Sequence, residues 1–326
     1  MYKLPFRFSA FVFGLVGLLA GSQSGAFAEV AQKKDQVPGY YRLQLGKYEV
    51  TALYDGFVAI DKKVLSGASD EEMKSLLEKA FLPTESGVQT AVNGYLINTG
   101  SKVILIDAGT AKCFGPSLGY IPENLKAAGY KPEDVDLVLL THLHGDHACG
   151  LLDEKGEKFF PKAKVQASKE EADFWLNKEE AEKASAEWKD AFKVSQTSVA
   201  PYIASKAFET FTVGETLTDG VRVVPTFGHT PGHISYLVES EGQKLMVWGD
   251  IIHSHAIQFA KPEVAIEFDT DKEKAVEARK KMLKNAAQEK FLIGGAHLPF
   301  PGIGHVQTYE EGYRWVPVEF SSLKGN

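Results

Sequence analysis

The sequence predicts a layered α/β fold in two similar halves, with β-sheets packed together and helices outside. Apolar runs of strand length alternate with segments of helical periodicity along the chain. The order of strand pairs and helices in the first half is repeated in the second, and no short-period repeat or low-complexity linker divides the chain. Such a pattern favours sheets that pack against each other and carry helices on their outer faces. We expect a single domain over residues 40–326.

The first 28 residues have the pattern of a secretory signal peptide. Lys3 and Arg7 precede an apolar stretch from Ala10 to Ala20, and small residues end the segment at Ala28. The alternative is a membrane anchor, but this stretch is shorter than the ~20 residues that a helix needs to cross a bilayer. We expect a secreted or periplasmic protein without stable membrane insertion after cleavage, in which the polar residues 29–39 form a flexible leader.

Turn and capping signals place the elements of the first half. A hairpin is predicted around Gly46, and Ser69 with Glu72 forms a capping-box pattern at the start of a helix. The elements that follow, in chain order, are strands at 91–96 and 103–106, a helix at 122–128 closed by Gly129, and a buried strand at 135–140.

The second half has the same kinds of elements. They are, in chain order, a charged helix capped by Ser168 and Glu171 and reaching to about Phe192, a strand at 221–226, a hairpin of 235–238 and 245–248, a helix capped by Thr270 and Glu273 and reaching to about Ala287, and a strand at 291–293. Metal-ligand residue types follow several of the strands, and functional loops collect at strand ends in layered α/β folds.

Composition excludes some partners. The formal net charge is −7, and no block of Lys and Arg stands without acidic neighbours, so we expect no nucleic-acid partner. The two cysteines, Cys113 and Cys149, are too few for a disulfide framework. The sequence leaves open whether they pair in an oxidising compartment. We interpret Cys149, which adjoins the histidine cluster described next, as a small packing residue.

The segment LTHLHGDHACG at 140–150 contains three of the 9 histidines and an aspartate. Side chains alternate faces in an extended segment, so His142 and His144 point the same way. If the chain turns at Gly145, Asp146 and His147 face the same space. A single histidine is more often a packed or surface residue, but four residues of metal-ligand type in six positions indicate metal binding. Imidazole and carboxylate donors suit zinc and its divalent neighbours.

More ligands for two ions stand at strand ends in the second half. His229 follows the strand at 221–226, Asp250 follows the strand at 245–248, and His297 follows the strand at 291–293. Each apolar run thus delivers one ligand type at its carboxyl end, which is an economical way to bring distant residues to one site. His233, in the segment HTPGH, is interpreted as a structural hydrogen-bonding residue.

These motifs resemble, in order, the five motifs of the metallo-β-lactamase superfamily. The resemblance implies an αββα sandwich with the metal site at the strand ends. It implies a first metal on His142, His144 and His229, and a second on Asp146, His147 and His297. Asp250 would bridge the two metals, and Asp107 in ILIDAG would hold the ligand loop without touching metal.

Longer segments are similar to the methyl parathion hydrolase group and its related lactone and aryl-ester hydrolases. They are VPGYYRLQLGKYEVTALYDG, GYLINTGSKVILIDAG, FGPSLG, KEEADFWL, GHTPGH and HLPFPGIGH. This likeness implies a dinuclear hydrolase and a homodimer. The donor set favours Zn²⁺, with Mn, Fe and Co as alternatives. Two such ions can acidify a shared water to give a bridging hydroxide, which Asp146 and Asp250 would place for attack on an ester.

The substrate is expected to be a small apolar lactone or aryl ester, with phosphotriester cleavage as a side activity. Phe114 and Trp175 match aromatic residues at the pocket mouth of that group, although either could pack in the core. After Asp250 the chain departs from the organophosphate enzymes, and His253, Ile266 and Phe268 would narrow the pocket against a tetrahedral phosphotriester.

Alternative functions remain. The protein could be an organophosphate hydrolase of the methyl parathion type, or an exported metal-binding module without catalysis. A true β-lactamase usually lacks an acid at the position of Asp250, and a flavin-coupled di-iron oxidoreductase would have a carboxylate at His144. Seven ligands shared by two ions leave room for water, whereas a structural zinc site is closed by four protein ligands. The ligand count therefore favours catalysis.

Overall fold

Two seven-stranded β-sheets dominate the structure, a computed structural model that describes residues 30–218 and 220–323. The strands of the first sheet, in pairing order, are β1 (Tyr40–Leu45), β2 (Tyr48–Ile60), β4 (Val88–Asn98), β5 (Val103–Ile106), β6 (Leu137–Leu139), β7 (Lys164–Ser168) and β8 (Phe208–Phe211). Strands β1 to β5 of this sheet pair antiparallel, and β5 to β8 pair parallel. The sheet is therefore mixed.

The second sheet is antiparallel apart from the pair β12–β14. Its strands, in pairing order, are β16 (Gly312–Pro317), β15 (Ile303–Tyr309), β14 (Leu292–Gly294), β12 (Gln243–Val247), β11 (Ile234–Ser240), β10 (Val221–Pro225) and β9 (Thr216–Thr218). Two short strands, β3 (Leu65–Ser66) and β13 (Ala265–Ile266), pair with each other.

The helices of the described residues are α1 (Asp70–Lys79), α2 (Ile121–Ala127), α3 (Gly145–Ala148), α4 (Lys169–Trp175), α5 (Lys178–Lys183), α6 (Ala186–Ala204), α7 (His255–Gln258) and α8 (Lys272–Glu289). Short 3-10 turns lie at Lys62–Val64, Pro132–Asp134, Cys149–Leu151 and Gly249–Ile251. Among the residues described, no helix has both the length and the apolar character to span a membrane.

Three layers of apolar side chains hold the sheets and helices together within the unit Pro38–Asn326. The middle layer joins the two sheets, since Ile104 and Leu139 from the first sheet pack in one buried cluster with Tyr236 and Val247 from the second. A second cluster packs helices on the first sheet, and a third packs α8 on the second sheet. This αββα arrangement confirms the predicted fold class.

Local signals predicted several elements correctly. The hairpin turns at Gly46, whose φ of 58° favours glycine. The Ser69–Glu72 capping box is present at the start of α1. The signal-peptide prediction falls on residues outside the described ranges, and it stays a prediction.

The single helix predicted from Ser168 to about Phe192 is wrong, because the chain forms three helices there, α4, α5 and α6. Asn177 and Ser185 each accept backbone N–H bonds of the following turn and start a new helix. Similarly, the cap of α8 is Asp271 rather than Thr270, since the Asp271 carboxylate accepts from the Lys274 N–H. The strands that were not predicted are β3, β7, β8, β9, β13, β15 and β16.

Cys113 and Cys149 form a disulfide across a sequence separation of 36 residues. This bond answers the question of pairing that the sequence left open. Cys149 is buried, as a packing residue would be, but it is also a covalent anchor. The disulfide ties the exposed loop that follows β5 to the turn that follows α3.

Candidate metal centre

The predicted ligands converge where strands of both sheets end. The buried strand β6 leads into His142 and His144, and the chain turns at Gly145 into α3, which carries Asp146 and His147. The other ligands follow strands of the second sheet: His229 follows β10, Asp250 follows β12, and His297 follows β14. Because the two sheets pack face to face, their strand ends place these residues at one site.

The seven side chains form two groups that share one carboxylate. The first group is His142, His144, His229 and Asp250, and the second is Asp146, His147, His297 and Asp250. Within each group one candidate ligand atom per residue lies within 4.8 Å of all the others. The division and the shared residue match those expected from the sequence. The roles as metal ligands stay a prediction.

Asp250 lies at the centre of the site, with its side chain only 3% exposed. Its Oδ2 is 3.2 Å from Nε2 of His229 and 3.1 Å from Nε2 of His297, so one oxygen faces both groups. Its Oδ1 is 3.0 Å from Nε2 of His147. A carboxylate so placed can bridge two cations.

Hydrogen bonds on the far side of the imidazole rings orient the Nε2 atoms toward the centre. The Nδ1–H of His147 donates to Asp107 at 2.9 Å, and that of His297 donates to the Ala91 carbonyl at 2.9 Å. His229 donates from Nδ1 to Asp269 at 2.9 Å. Each ring thereby turns its Nε2 toward the centre, and this nitrogen would bind a metal once it carries no proton.

Several inward-facing atoms form no hydrogen bond, and this tests whether ions fit the site. The Nε2 atoms of His142 and His147 and the Oδ1 of Asp250 are buried without a hydrogen bond. His144 Nδ1 and His229 Nε2 face each other at 3.1 Å. Buried polar atoms without partners are costly, and cations at the two groups would satisfy them. The donor set therefore fits two divalent ions.

Burial and neighbouring charges shift the ionisation of the ligand residues. Burial and the neighbouring charge of His229 lower the pKa of His144 to about 3, so this ring is neutral at pH 7. Burial raises the pKa of Asp250, but the nearby imidazoles of His147 and His297 outweigh this effect and hold the pKa well below its usual range. Burial lowers the pKa of His147 and His229, but the Asp250 carboxylate outweighs this effect and raises both, that of His229 to about 9. These rings would release their protons on binding a cation, because zinc takes neutral imidazoles and ionised carboxylates.

Backbone geometry fixes the two aspartates that organise the site. Gly249 has a φ of 57°, and a Cβ there would lie 2.6 Å from Nε2 of His233. That nitrogen accepts from the Asp250 N–H at 3.0 Å, so His233 has the structural role predicted for it. Asp107 also has a positive φ, 61°, which is uncommon for a residue other than glycine and typical of a constrained site. The Asp107 carboxylate accepts from the Thr141 N–H at 2.8 Å and so contacts the ligand loop. Its role beside a metal site stays a prediction.

The predicted pocket residues divide into two sets. Phe114 is 51% exposed and covers Gly145, and Phe268 is 43% exposed and contacts the ring of His253. Trp175 and Ile266 expose no surface, so the prediction that they line the pocket is wrong. Trp175 instead packs under His144, with ring centroids 5.2 Å apart, and Ile266 packs in the small core beside β3.

His253 lies deeper than a pocket-wall residue was expected to lie. Its side chain is 2% exposed, its Nε2 is 3.1 Å from the shared carboxylate of Asp250, and its ring stacks on that of His297. Its Nδ1 is buried without a hydrogen bond. His253 therefore fills the space beside the second ligand group.

Three buried charged residues around the site were missed from the sequence. Asp269 orients His229, and the buried Arg279 donates to the carbonyls of Ile251 and Val264. Glu171 binds backbone groups of two ligand loops. No motif marks these residues, because they meet the ligands only after folding. For Glu171 the one sequence signal was its position in a helix cap.

The site consists of two groups of histidines and acids that share one carboxylate. The family model of the metallo-beta-lactamase superfamily matches residues 87–295, and the chain belongs to this superfamily. A curated relative, the uncharacterized protein YobT of Bacillus subtilis (strain 168), is 32% identical over 209 residues, which are 62% of this chain and 82% of that protein.

Two solved structures are similar over nearly the whole described chain. The hydrolase AbOPH of the beta lactamase superfamily has a TM-score of 0.85 at 42% identity, covering 88% of this chain and 100% of that chain. AidC, a dizinc quorum-quenching lactonase in complex with an N-hexanoyl-L-homoserine product, has a TM-score of 0.81 at 28% identity, with the same coverage of 88% and 100%. These comparisons confirm the predicted superfamily and the prediction of a metal-dependent hydrolase.

Proposed function

We propose that the protein is an exported dinuclear hydrolase that cleaves lactones or aryl esters and acts on phosphotriesters as a side activity. The observation that carries this proposal is the pair of ligand groups that share the Asp250 carboxylate. One face of the pair is accessible, because the Asp146 side chain is 24% exposed while that of Asp250 is 3% exposed. A substrate can thus reach the pair from the side of Asp146.

We assign the ligands as the sequence predicts. His142, His144 and His229 would hold one ion, Asp146, His147 and His297 the other, and Asp250 both. Zn²⁺ is the proposed ion, since imidazole and carboxylate donors suit it and AidC is a dizinc enzyme. Bound there, the two ions would supply Lewis acidity and make a water molecule a good nucleophile near neutral pH.

The side chains of this protein would orient the reactants and move the proton. Asp146 is the carboxylate that a substrate can reach, and its Oδ2 is 3.5 Å from His147 and 3.4 Å from His297. We assign Asp146 to orienting the attacking water and accepting its proton on the carboxylate oxygen that would not bind the ion. Asp250, deeper in the site, would keep both groups at a fixed separation. No serine or cysteine nucleophile is needed.

The surroundings of the site favour a flat, apolar ester. Phe114 and Phe268 present aromatic surface near the ligands, and such rings bind planar apolar groups. His253 and its neighbour Phe268 occupy space beside the second ligand group. A planar lactone or aryl ester needs less room there than a tetrahedral phosphotriester. AidC, with its bound homoserine product, shows that a relative of this fold acts on a lactone.

A substrate panel tests the proposal. We expect kcat/KM to be highest for dihydrocoumarin or an aryl acetate and at least about tenfold lower for methyl parathion, a difference of about 1.4 kcal/mol in transition-state binding. The panel is measured with metal-loaded protein, and the Asp250→Asn variant purified in the same way excludes a contaminating esterase. A clear preference for methyl parathion would make organophosphate hydrolysis the main activity. Bound metal without turnover of any ester would support a non-catalytic binding module.

Export is proposed on two grounds. Residues 1–28 have the signal-peptide pattern, and the Cys113–Cys149 disulfide is the kind of bond that persists in oxidising compartments. We therefore place the mature protein outside the cytoplasm, secreted or periplasmic. The homodimer implied by the resemblance stays a prediction.

A further inference from the structure

Glu171 is a completely buried carboxylate that belongs to neither ligand group. It lies in the first turn of α4, and its side chain points toward the loops that carry the ligands of the first group. Burying a carboxylate is unfavourable unless its oxygens are bonded. The partners of Glu171 therefore indicate its role.

Its two oxygens bind two different ligand loops. One oxygen accepts from the Leu143 N–H at 2.8 Å, and Leu143 stands between His142 and His144. The other accepts from the Thr230 hydroxyl at 2.6 Å and from the Gly232 N–H at 2.9 Å, in the loop that begins with His229. One side chain thus connects the loops that supply all three histidines of the first group.

The first turn of α4 is docked firmly against the second of these loops. The Ser168 hydroxyl donates to the Gly232 carbonyl at 2.7 Å and accepts from the Glu171 N–H at 3.1 Å. A Cβ at Gly232 would lie 2.1 Å from the Glu171 nitrogen, so only glycine permits this approach. Glu171 therefore occupies a fixed position relative to the loop of His229.

We propose that Glu171 is a positioning residue that sets the separation of the two histidine loops and thereby the affinity for the first metal ion. The inference rests on the proposed dinuclear function. The second group is anchored differently, since His147 bonds to Asp107 and His297 bonds to the Ala91 carbonyl. Loss of the Glu171 bonds should therefore lower the affinity for the first ion far more than the affinity for the second.

The Glu171→Gln variant tests this selectivity. Glutamine replaces an acceptor oxygen with an N–H₂ group that faces other donors, so at least one loop loses its bond. We expect the affinity for one of two Zn²⁺ ions to fall by about ten- to a hundredfold, the usual cost of losing a group that supports metal ligands. Affinities are measured by chelator competition, with metal content after dialysis as a second readout. Excess Zn²⁺ should restore most of the hydrolysis.

Matched variants identify which ion is affected. Glu171→Gln should reproduce the metal-binding profile of His144→Ala, a change in the first group, and differ from that of His297→Ala, a change in the second. The control is Glu170→Gln, which makes the same change on the same helix. One carboxylate oxygen of Glu170 is buried without a hydrogen bond, so it holds no ligand loop, and the variant should bind Zn²⁺ with wild-type affinities. If Glu171→Gln does not fold, Thr230→Val is used instead. It removes one of the three hydrogen bonds to the Glu171 carboxylate and should still lower the affinity for the first ion.

Three results would overturn the positioning role of Glu171, and a fourth would overturn the proposed function. The first two are an equal loss of affinity for both ions in Glu171→Gln and no change in affinity for either ion. Unchanged affinities in Thr230→Val, where Glu171→Gln does not fold, would also overturn that role. Wild-type protein that binds no Zn²⁺ would instead overturn the proposed function itself.

Discussion

Asp250→Asn is expected to reduce ester hydrolysis by more than about a hundredfold, beyond the usual cost of losing a supporting group around a metal. The Asp250 carboxylate lies 3.0 to 3.6 Å from Nε2 of His142, His147 and His297. An amide at this position has no negative charge and only one acceptor oxygen, so it cannot bridge two cations well. We therefore also expect bound metal to fall from two ions per chain to one or none. Initial rates and elemental analysis of the same samples measure both effects.

Asp271→Asn is the matched control for this charge removal. Asp271 caps α8, and asparagine caps helices about as well as aspartate, so stability, metal content and rate should stay unchanged. An Asp250→Asn protein that retains two ions and most of its activity would contradict the central position given to Asp250.

Loss of the Cys113–Cys149 disulfide is expected to have the largest effect on stability. The bond closes a loop across a sequence separation of 36 residues, and the chain-entropy relation gives a stabilisation of about 4 kcal/mol for a loop of that size. We expect the Cys113→Ser, Cys149→Ser double variant to unfold at a temperature lower by on the order of 10 °C. Thermal unfolding of metal-loaded protein, followed by circular dichroism, measures the shift.

Reduction of the wild-type protein provides the comparison for the double variant. Wild-type protein treated with a reductant should lose about as much stability as the double variant, and the reductant should not change the double variant further. Equal unfolding temperatures for the oxidised wild type and the double variant would show that the disulfide contributes nothing. In that case neither the double substitution nor reduction of the wild-type protein would lower the unfolding temperature.

The sequence was most informative where several signals lie close together along the chain. Four residues of metal-ligand type within six positions indicated the metal site directly. His229, Asp250 and His297 could be added because each follows an apolar strand, and strand ends meet in a layered fold. The capping box at Ser69 and the turn at Gly46 are local in the same sense. Hydrogen bonds between neighbouring residues determine them, so tertiary contacts do not overrule them.

Most of the features that sequence reasoning missed depend on contacts between distant segments, and one depends on a local helix cap. Trp175 and Phe114 looked alike in sequence, but α5 and α6 cover Trp175 and leave Phe114 exposed. Glu171 and Asp269 resemble ordinary surface acids until folding buries them against the ligand loops. Asn177 stood inside a charged segment with helical periodicity, and only its capping bonds show that a new helix starts there. Periodicity alone cannot separate one long helix from several short ones.

Metal removal and stepwise restoration test the central claim most directly. The mature protein is stripped with a chelator, the absence of metal is verified by elemental analysis, and Zn²⁺ is then added in fractions of an equivalent while hydrolysis of dihydrocoumarin is followed. The two ligand groups predict no turnover in the stripped protein and full activity only near two equivalents of Zn²⁺. Hydrolysis that continues at the original rate in protein shown to be free of metal would contradict the account.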